Sequence, residues 1–255
     1  MFRVVIPARH DSTRLPGKVL LPLDGKPLLQ WVHEAARSCR AEEVLIATDD
    51  ARIESAARDF GAQVVLTARH HASATDRIAE VAWRRGWSDA DIVVNLQGDE
   101  PLMPPGLIEQ CAELLESEPA AGVATLASPI GSLAEFLDPN VVKVIVDGAG
   151  RALYFSRAPI PWDRDAAPAG LGSQRSFAGA RRHLGLYAYR VGALRRIAAL
   201  APSALERTER LEQLRALESG IAILVGDVTE RPGPDVNTAE DLERVRAELA
   251  AKAGR

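Results

Sequence analysis

The spacing of apolar positions changes along the chain, and the changes mark its elements. Residues 2–7 form a short β-branched run that predicts a strand, and after Pro27, a good first-turn residue, 28–37 carry apolar side chains at helical spacing. The pattern then predicts a strand at 43–48, a helix at 50–60 stopped by Gly61, and a strand at 63–67. A helix at 75–85 closed by Gly86, a buried strand at 91–96, a helix at 105–116 and a strand at 122–127 follow. Such alternation implies crossover connections on a largely parallel sheet covered by helices.

Beyond 127 the pattern changes. Residues 141–147, 151–156 and 183–190 predict strands, and 163–181, rich in Ala, Gly, Ser and charge, predicts a mobile loop. Helices return at 193–200, 204–218 and 238–252, with one more strand at 221–228. Neither a repeat nor a linker interrupts this order. The simplest expectation is one α/β domain over 1–255, a mostly parallel (mixed) sheet flanked by helices, with 129–190 as an inserted arm.

Composition narrows the class. A chain of 255 residues with 47% hydrophobic and 26% charged residues is ordinary for a globular protein. A net charge of -4 argues against a nucleic-acid partner but leaves room for a small anion on a local cationic loop. Cys39 and Cys111 sit in apolar helical patterns without zinc-ligand spacing, which suits buried reduced thiols better than a disulfide. The N-terminus lacks a signal-peptide layout, and no apolar run approaches the roughly 20 residues needed to cross a bilayer. The expectation is a cytoplasmic protein with no membrane partner.

The first strand-to-helix junction carries the clearest chemistry: Pro7-Ala8-Arg9-His10-Asp11-Ser12-Thr13-Arg14-Leu15-Pro16-Gly17-Lys18. Ligands of open α/β sheets bind beyond the carboxyl ends of the strands, where this loop begins. Arg9 and Arg14 offer bidentate forks, Lys18 a compact charge, and Gly17 a place for close backbone approach. A polyphosphate is the natural guest, although scattered cations also mark ordinary solvated loops. Neither the G-x-x-x-x-G-K-[ST] nor the G-x-G-x-x-G pattern is present.

This A-R-x-x-S-T-R-L-P-G-K loop resembles the signature of sugar-acid cytidylyltransferases, most closely the 3-deoxy-manno-octulosonate cytidylyltransferase (CMP-Kdo synthetase) family. Four further segments are similar to that family, in order. They are Asn95-Leu96-Gln97-Gly98-Asp99-Glu100-Pro101, Tyr154-Phe155-Ser156-Arg157 with Ile160-Pro161-Trp162, Arg182-His183-Leu184-Gly185-Leu186-Tyr187, and Leu211-Glu212-Gln213-Leu214-Arg215. The resemblance runs from Pro7 to Leu242 and implies a nucleotide-diphospho-sugar transferase-like fold. It also implies transfer of CMP from CTP to the anomeric hydroxyl of 3-deoxy-D-manno-octulosonate (Kdo), an acidic eight-carbon sugar. The products would be CMP-Kdo for lipopolysaccharide synthesis and pyrophosphate, with Mg²⁺ as cofactor and a homodimer built on the arm.

By the same resemblance Arg9, Arg14, Lys18 and Asp99 are catalytic; Ala8, Arg9, Arg14, Lys18, Ser73, Thr75 and Gln97 bind the nucleotide. Gln97, Arg157, His183, Tyr187, Glu212 and Gln213 meet the sugar, with Arg157 and His183 on its carboxylate, and Asp99 and Asn237 hold the metal. Plainer roles stand beside these. Asp99 would cap the turn before Pro101, Ser73 or Thr75 a helix, Asn237 or Thr238 the last helix with Asp241 completing a box, and His183 and Tyr187 would be satisfied core residues. Trp31, Trp83 and Trp87 are expected to pack, and His70 and His71 to lie in a loop.

Two positions depart from the family pattern. Ala74 stands where the family has glycine, so a left-handed backbone there would force the loop to shift. Asn237 stands where the family has aspartate, with Asp235 two positions earlier as a substitute. Alternatives to the main reading are a nucleotidyltransferase for a related acid such as 8-amino-Kdo, a metal-dependent glycosyltransferase, and a nucleotide-binding regulator without catalysis.

Overall fold

Along β1 (Phe2–Ala8), Val4 and Ile6 pack into one core cluster and Val5 into another, so the strand is covered on both faces. Such a strand belongs in the interior of a parallel sheet. The computed structural model describes residues 1–11, 15–71, 73–167 and 169–253. After β1 come a small hairpin, β2 (Pro22–Leu23) and β3 (Lys26–Pro27), then α1 (Leu28–Arg37), β4 (Glu43–Thr48), α2 (Ala51–Asp59), β5 (Gln63–Leu66) and α3 (Ala74–Arg84). β6 (Ile92–Asn95), α4 (Pro105–Glu116), β7 (Val123–Pro129), α5 (Leu133–Leu137), β8 (Lys143–Val146) and β9 (Ala152–Ser156) follow. The chain closes with β10 (Arg181–Arg190), α6 (Val191–Ala199), α7 (Ala204–Glu209), α8 (Gln213–Glu218), β11 (Ile223–Asp227) and α9 (Ala239–Ala253).

The main sheet runs β11-β7-β10-β6-β1-β4-β5, with β8 beside β10 and β9 beyond it. β1 pairs in parallel with β4 and β6, and β11 with β7, whereas β10 runs antiparallel between β6 and β7. Tyr187 of β10 therefore lies opposite Asn95 and Thr125, toward the carboxyl ends of the parallel strands. Buried residues of α1, α2, α4 and α9 cover one face of the sheet and those of α3, α6 and α8 the other. The expected mixed sheet between helix layers is the fold found.

Most elements lie within a residue or two of their expected bounds; the differences have local causes. The helix expected over 204–218 is two helices, because Arg210 takes a left-handed backbone (φ 56°) and ends α7. The hairpin β2–β3 turns on Asp24 and Gly25, both at positive φ, the geometry of a two-residue hairpin loop. Ser132 accepts a hydrogen bond from the Glu135 amide and starts α5, which the apolar pattern did not predict. The stretch expected as an arm ends early, since β10 returns through the middle of the sheet. Among the described residues of 163–180 one 3₁₀ turn (Leu171–Ser173) forms, β10 beginning at Arg181, yet Ala167, Gln174 and Ala180 are buried.

Trp87 is buried and Trp31 donates to the Leu23 carbonyl at 2.7 Å, but Trp83 is 73% exposed, contrary to the packing role expected for it. Cys39 and Cys111 are buried free thiols. Among the described residues no helix is long and apolar enough to cross a membrane.

Candidate active site

Loops at the carboxyl ends of β1 and β6 and the segment before α9 meet around Lys18, with the loop before α3 alongside, and the space they border is the candidate cleft. The loop after β1 is closed by the Gly17 amide donating to the His10 carbonyl at 2.9 Å, with Gly17 left-handed at φ 68°. That turn delivers Lys18 into the cleft. Its ammonium donates to Asp99 Oδ2 at 2.5 Å, the Val236 carbonyl at 3.0 Å and Asn237 Oδ1 at 3.2 Å. Gly98, just before Asp99, passes so close to β1 that a Cβ would lie 3.1 Å from the Pro7 carbonyl oxygen. The Val236 amide donates to the Asp99 carbonyl at 2.8 Å, pinning the C-terminal segment to the loop after β6. Arg14 lies outside the described residues.

The convergence of a carboxylate, a side-chain amide oxygen and a main-chain carbonyl on one cation is the donor chemistry of Mg²⁺, which usually takes one or two carboxylates and completes its shell with substrate phosphates. Asp235 Oδ2 accepts from the Asn237 side-chain amide, so a second carboxylate stands beside this set. These oxygens, now gathered on the Lys18 ammonium, are of the kind a divalent cation takes. Among the described residues there is no group of three or more His, Cys, Asp and Glu that could hold a metal ion. Asp99 and Asn237 are thus brought together, and the expected helix box also forms, with Thr238 Oγ1 accepting from the Asp241 amide at 3.2 Å and Asp241 Oδ2 from the Thr238 amide at 2.9 Å.

Glu100 turns its carboxyl inward, where Oε2 has no hydrogen-bond partner among the described residues. Burial, with Asp99 and Asp235 nearby, pushes its pKa up to about 8.

On the other side of the Lys18 loop, Ala8 is buried at the end of β1 and Arg9 reaches across to donate from Nη2 to the Ser73 carbonyl at 2.9 Å. Burial, then the neighbouring Arg77, lowers the Arg9 pKa. Ser73 and Asp76 form a capping box at the start of α3, worth about 1 kcal/mol. Ala74 is the first residue of that helix and has no positive φ, so the substitution for glycine is accommodated without a shift. Arg77 is wholly buried, bonds Thr67 Oγ1 and lies 3.3 Å from Asp49 Oδ1. The residue pattern around Asp76 contained Arg77, but only the fold reveals it as a second buried cation behind Arg9. His71 also exceeds its expected loop role: its Nε2 pairs with Glu80, which accepts from the Ala68 amide as well.

A narrow recess is lined by Thr75, Tyr187, Tyr189, Glu212 and Gln213. Burial raises the Glu212 pKa, partly opposed by hydrogen bonds from Ser73 and Thr75, and its Oε1 has no partner among the described residues. The His183 and Tyr187 rings lie 5.2 Å apart, on one side of β10 as alternation predicts, although the strand carries a register shift between them. His183 Nε2 meets Thr125 Oγ1 at 2.9 Å, and burial pushes its pKa down to about 3, so the ring is neutral. Gln97 donates to Asn95 Oδ1 at 3.3 Å. Arg157 makes its side-chain hydrogen bonds to main-chain carbonyls: its Nε donates to that of Glu209 at 2.7 Å and Nη1 to that of Pro139 at 3.0 Å.

The family model for cytidylyltransferases matches residues 3–223. A 3-deoxy-manno-octulosonate cytidylyltransferase of Thioalkalivibrio sulfidiphilus (strain HL-EbGR7) is 58% identical over 98% of this chain and 99% of its own length. One of Halorhodospira halophila (strain DSM 244 / SL1) is 54% identical over 97% and 96%. Among solved structures, CMP:2-keto-3-deoxy-manno-octonic acid synthetase complexed with CTP superposes with a TM-score of 0.87 at 42% identity, covering 99% of this chain and 100% of that one. By family model, sequence identity and superposition alike, the chain belongs to the cytidylyltransferase family, among the 3-deoxy-manno-octulosonate cytidylyltransferases.

Proposed function

We propose that the protein transfers CMP from CTP to the anomeric hydroxyl of Kdo, giving CMP-Kdo for lipopolysaccharide synthesis and releasing pyrophosphate. The observation that carries this reading is Lys18 held among Asp99, Asn237 and the Val236 carbonyl, a phosphate cation poised on an oxygen-rich site. The sugar oxygen bonds to the α-phosphorus of CTP as the bond to the pyrophosphate oxygen breaks. Lys18, Arg9 and Arg14 balance the charge that gathers on the departing pyrophosphate, the main source of catalysis in such transfers. Asp99 with Asn237, assisted by Asp235, would hold Mg²⁺, which when bound polarises the phosphate and lowers the pKa of the attacking hydroxyl.

Arg157 takes the sugar carboxylate, where a fork of N–H donors gives a charge-assisted contact. His183, being neutral, offers a hydrogen bond and no charge. Glu212 and Gln213 read hydroxyls, and Ser73, Thr75 and Gln97 border the nucleotide. A homodimer through residues 129–180 is part of the same proposal, supported by Leu153, Trp162 and Leu171, which are exposed at 59%, 44% and 56%. A cytoplasmic location is supported by the two unbridged thiols.

Pyrophosphate release, followed for each nucleoside triphosphate against Kdo, 8-amino-Kdo and other keto-sugar acids with Mg²⁺, tests the reading. The expected pair is CTP and Kdo. No pyrophosphate from any nucleoside triphosphate, with sugar transfer from a nucleotide-sugar to a glycan acceptor, would indicate a glycosyltransferase. Tight CTP binding without release would indicate a regulator.

A further inference from the structure

Glu209, the last residue of α7, grips the end of β9 through both its side chain and its main chain. Its Oε1 accepts from Ser156 Oγ at 2.6 Å and from the Tyr154 hydroxyl at 3.5 Å, and its Oε2 from the Arg157 amide at 2.9 Å. Its carbonyl takes Nε of Arg157 at 2.7 Å. On the opposite side the Arg157 carbonyl accepts from Lys143 Nζ at 2.7 Å, and this wholly buried ammonium also binds the carbonyls of Asp138 and Val141. The main chain of Arg157 is therefore held at its N–H by a carboxylate and at its C=O by an ammonium.

The side chain of Arg157 is treated differently. Among the described residues its partners are two neutral carbonyls, those of Glu209 and Pro139, and it makes no ion pair. Among the described residues Nη2 has no partner, so the guanidinium is aimed by neutral groups and no carboxylate is bonded to it. A carboxylate in the place of either carbonyl would compete with an incoming anion. The left-handed Arg210 makes this arrangement possible. It ends α7 at Glu209 and lets α8 begin with Gln213, next to Glu212, on the recess that Tyr187 lines.

We propose that Glu209 is a positioning residue for the sugar acid: it fixes the Arg157 guanidinium relative to Glu212 and Gln213, so that carboxylate and hydroxyls are met in one geometry. This rests on the reading that Arg157 binds the sugar carboxylate. A glutamine at 209 has one oxygen for three donors: it keeps the Arg157 amide only if the hydroxyls of Ser156 and Tyr154 turn to accept its N–H groups, and every contact loses the charge of the carboxylate.

The test is steady-state kinetics of Glu209→Gln, Arg157→Ala and the double variant, with CTP affinity and melting temperature measured on each. Glu209→Gln is expected to raise the KM for Kdo about tenfold to a hundredfold, to leave the KM for CTP within about twofold, and to add nothing in the Arg157→Ala background. If Arg157→Ala raises the KM for Kdo and Glu209→Gln does not, Glu209 has no positioning role. If Glu209→Gln weakens CTP and Kdo equally while the protein melts earlier, its role is structural and the proposal falls. An unchanged KM for Kdo in Arg157→Ala removes the underlying reading, and the inference with it. Should Glu209→Gln fail to fold, Ser156→Ala deletes one donor to the same carboxylate. It is expected to raise the KM for Kdo several-fold with CTP unaffected, and no change would overturn the proposal.

Discussion

The Lys18 ammonium lies 2.5 Å from Oδ2 of Asp99, joining loops 81 residues apart in the chain. Before substrate arrives, the cation that would hold a phosphate and the carboxylate that would hold a metal thus neutralise each other. On the proposed reading, CTP binding with a divalent cation would replace this one contact by two. Lys18→Met is expected to lower kcat by about 10²–10³-fold, the loss typical when one group opposing transition-state charge is removed. Both side chains are partly exposed, at 13% and 23%, so water can take over their polar contacts and the fold should persist. Pyrophosphate release and the melting temperature check both halves, and turnover near that of the wild type would reject the role.

Ala74 at the first position of α3 needs no glycine. Ala74→Gly should therefore leave the KM for CTP within about twofold and should not improve discrimination among nucleotides. The added backbone freedom should cost up to about 1 kcal/mol of stability. Nucleotide competition assays with thermal unfolding would show it, and a large gain in CTP affinity would mean that the loop is held in a compromise shape by alanine.

The architecture was legible in the sequence wherever one short apolar run mapped to one element. α1, β4 and α4 have their expected bounds because Pro27, the β-branched run before Asp49, and Pro105 mark them locally. The break at Arg210 was hidden, since Glu-Arg-Leu contains no glycine or proline and the left-handed turn is imposed by packing around Leu211 and the contacts of Glu209. In the site, the cationic loop and Asp99 announced themselves by position after strands. Arg77, Lys143 and Glu209 did not, because what makes each of them matter is a partner brought near by the fold, 52 residues away in the case of Glu209 and the Arg157 amide.

Arg210 holds φ 56° and ψ 45° without being glycine, a conformation that costs an L-residue roughly 1–2 kcal/mol. Arg210→Gly is expected to keep or slightly raise stability, as relief of that cost offsets the larger entropy of unfolded glycine. Arg210→Val should lose about 1–3 kcal/mol, because a β-branched side chain is least tolerated there. Denaturant titration orders the three proteins, and equal stability of the glycine and valine variants would contradict the left-handed corner.

His183 makes stability depend on pH in a definite direction. Unfolded, it gains a proton as pH falls through about 6.5; folded, burial first and Arg182 second hold its pKa down to about 3. Between those values the unfolded chain binds more protons, so stability is lost as pH falls. Over the same range Glu100, raised to about 8, and Glu212, raised by burial, contribute with the opposite sign, so the share of His183 is read from the difference between wild type and a variant lacking the ring. His33, whose pKa burial also lowers, contributes in the same direction as His183. His183→Gln should remove the share of His183 and leave that of His33. Melting curves of both proteins across this range supply the difference, and parallel curves would show that His183 is already charged in the fold.

Asn237 offers its amide oxygen to Lys18 and its amide nitrogen to Asp235. Asn237→Asp would keep the first contact and turn the second into two facing carboxylates. Without a divalent cation their repulsion should lower stability, since like charges in contact disfavour ionisation of both. With Mg²⁺ the added charge should strengthen binding, because each further carboxylate raises the affinity of an oxygen site for a hard cation. The variant is therefore expected to melt below the wild type in a chelator, to gain more in melting temperature on adding Mg²⁺, and to reach half-maximal pyrophosphate release at a lower Mg²⁺ concentration. Paired Mg²⁺ titrations of melting temperature and activity separate the effects. If the substitution changes stability but leaves the Mg²⁺ dependence where it was, residue 237 caps α9 and takes no part in holding the metal.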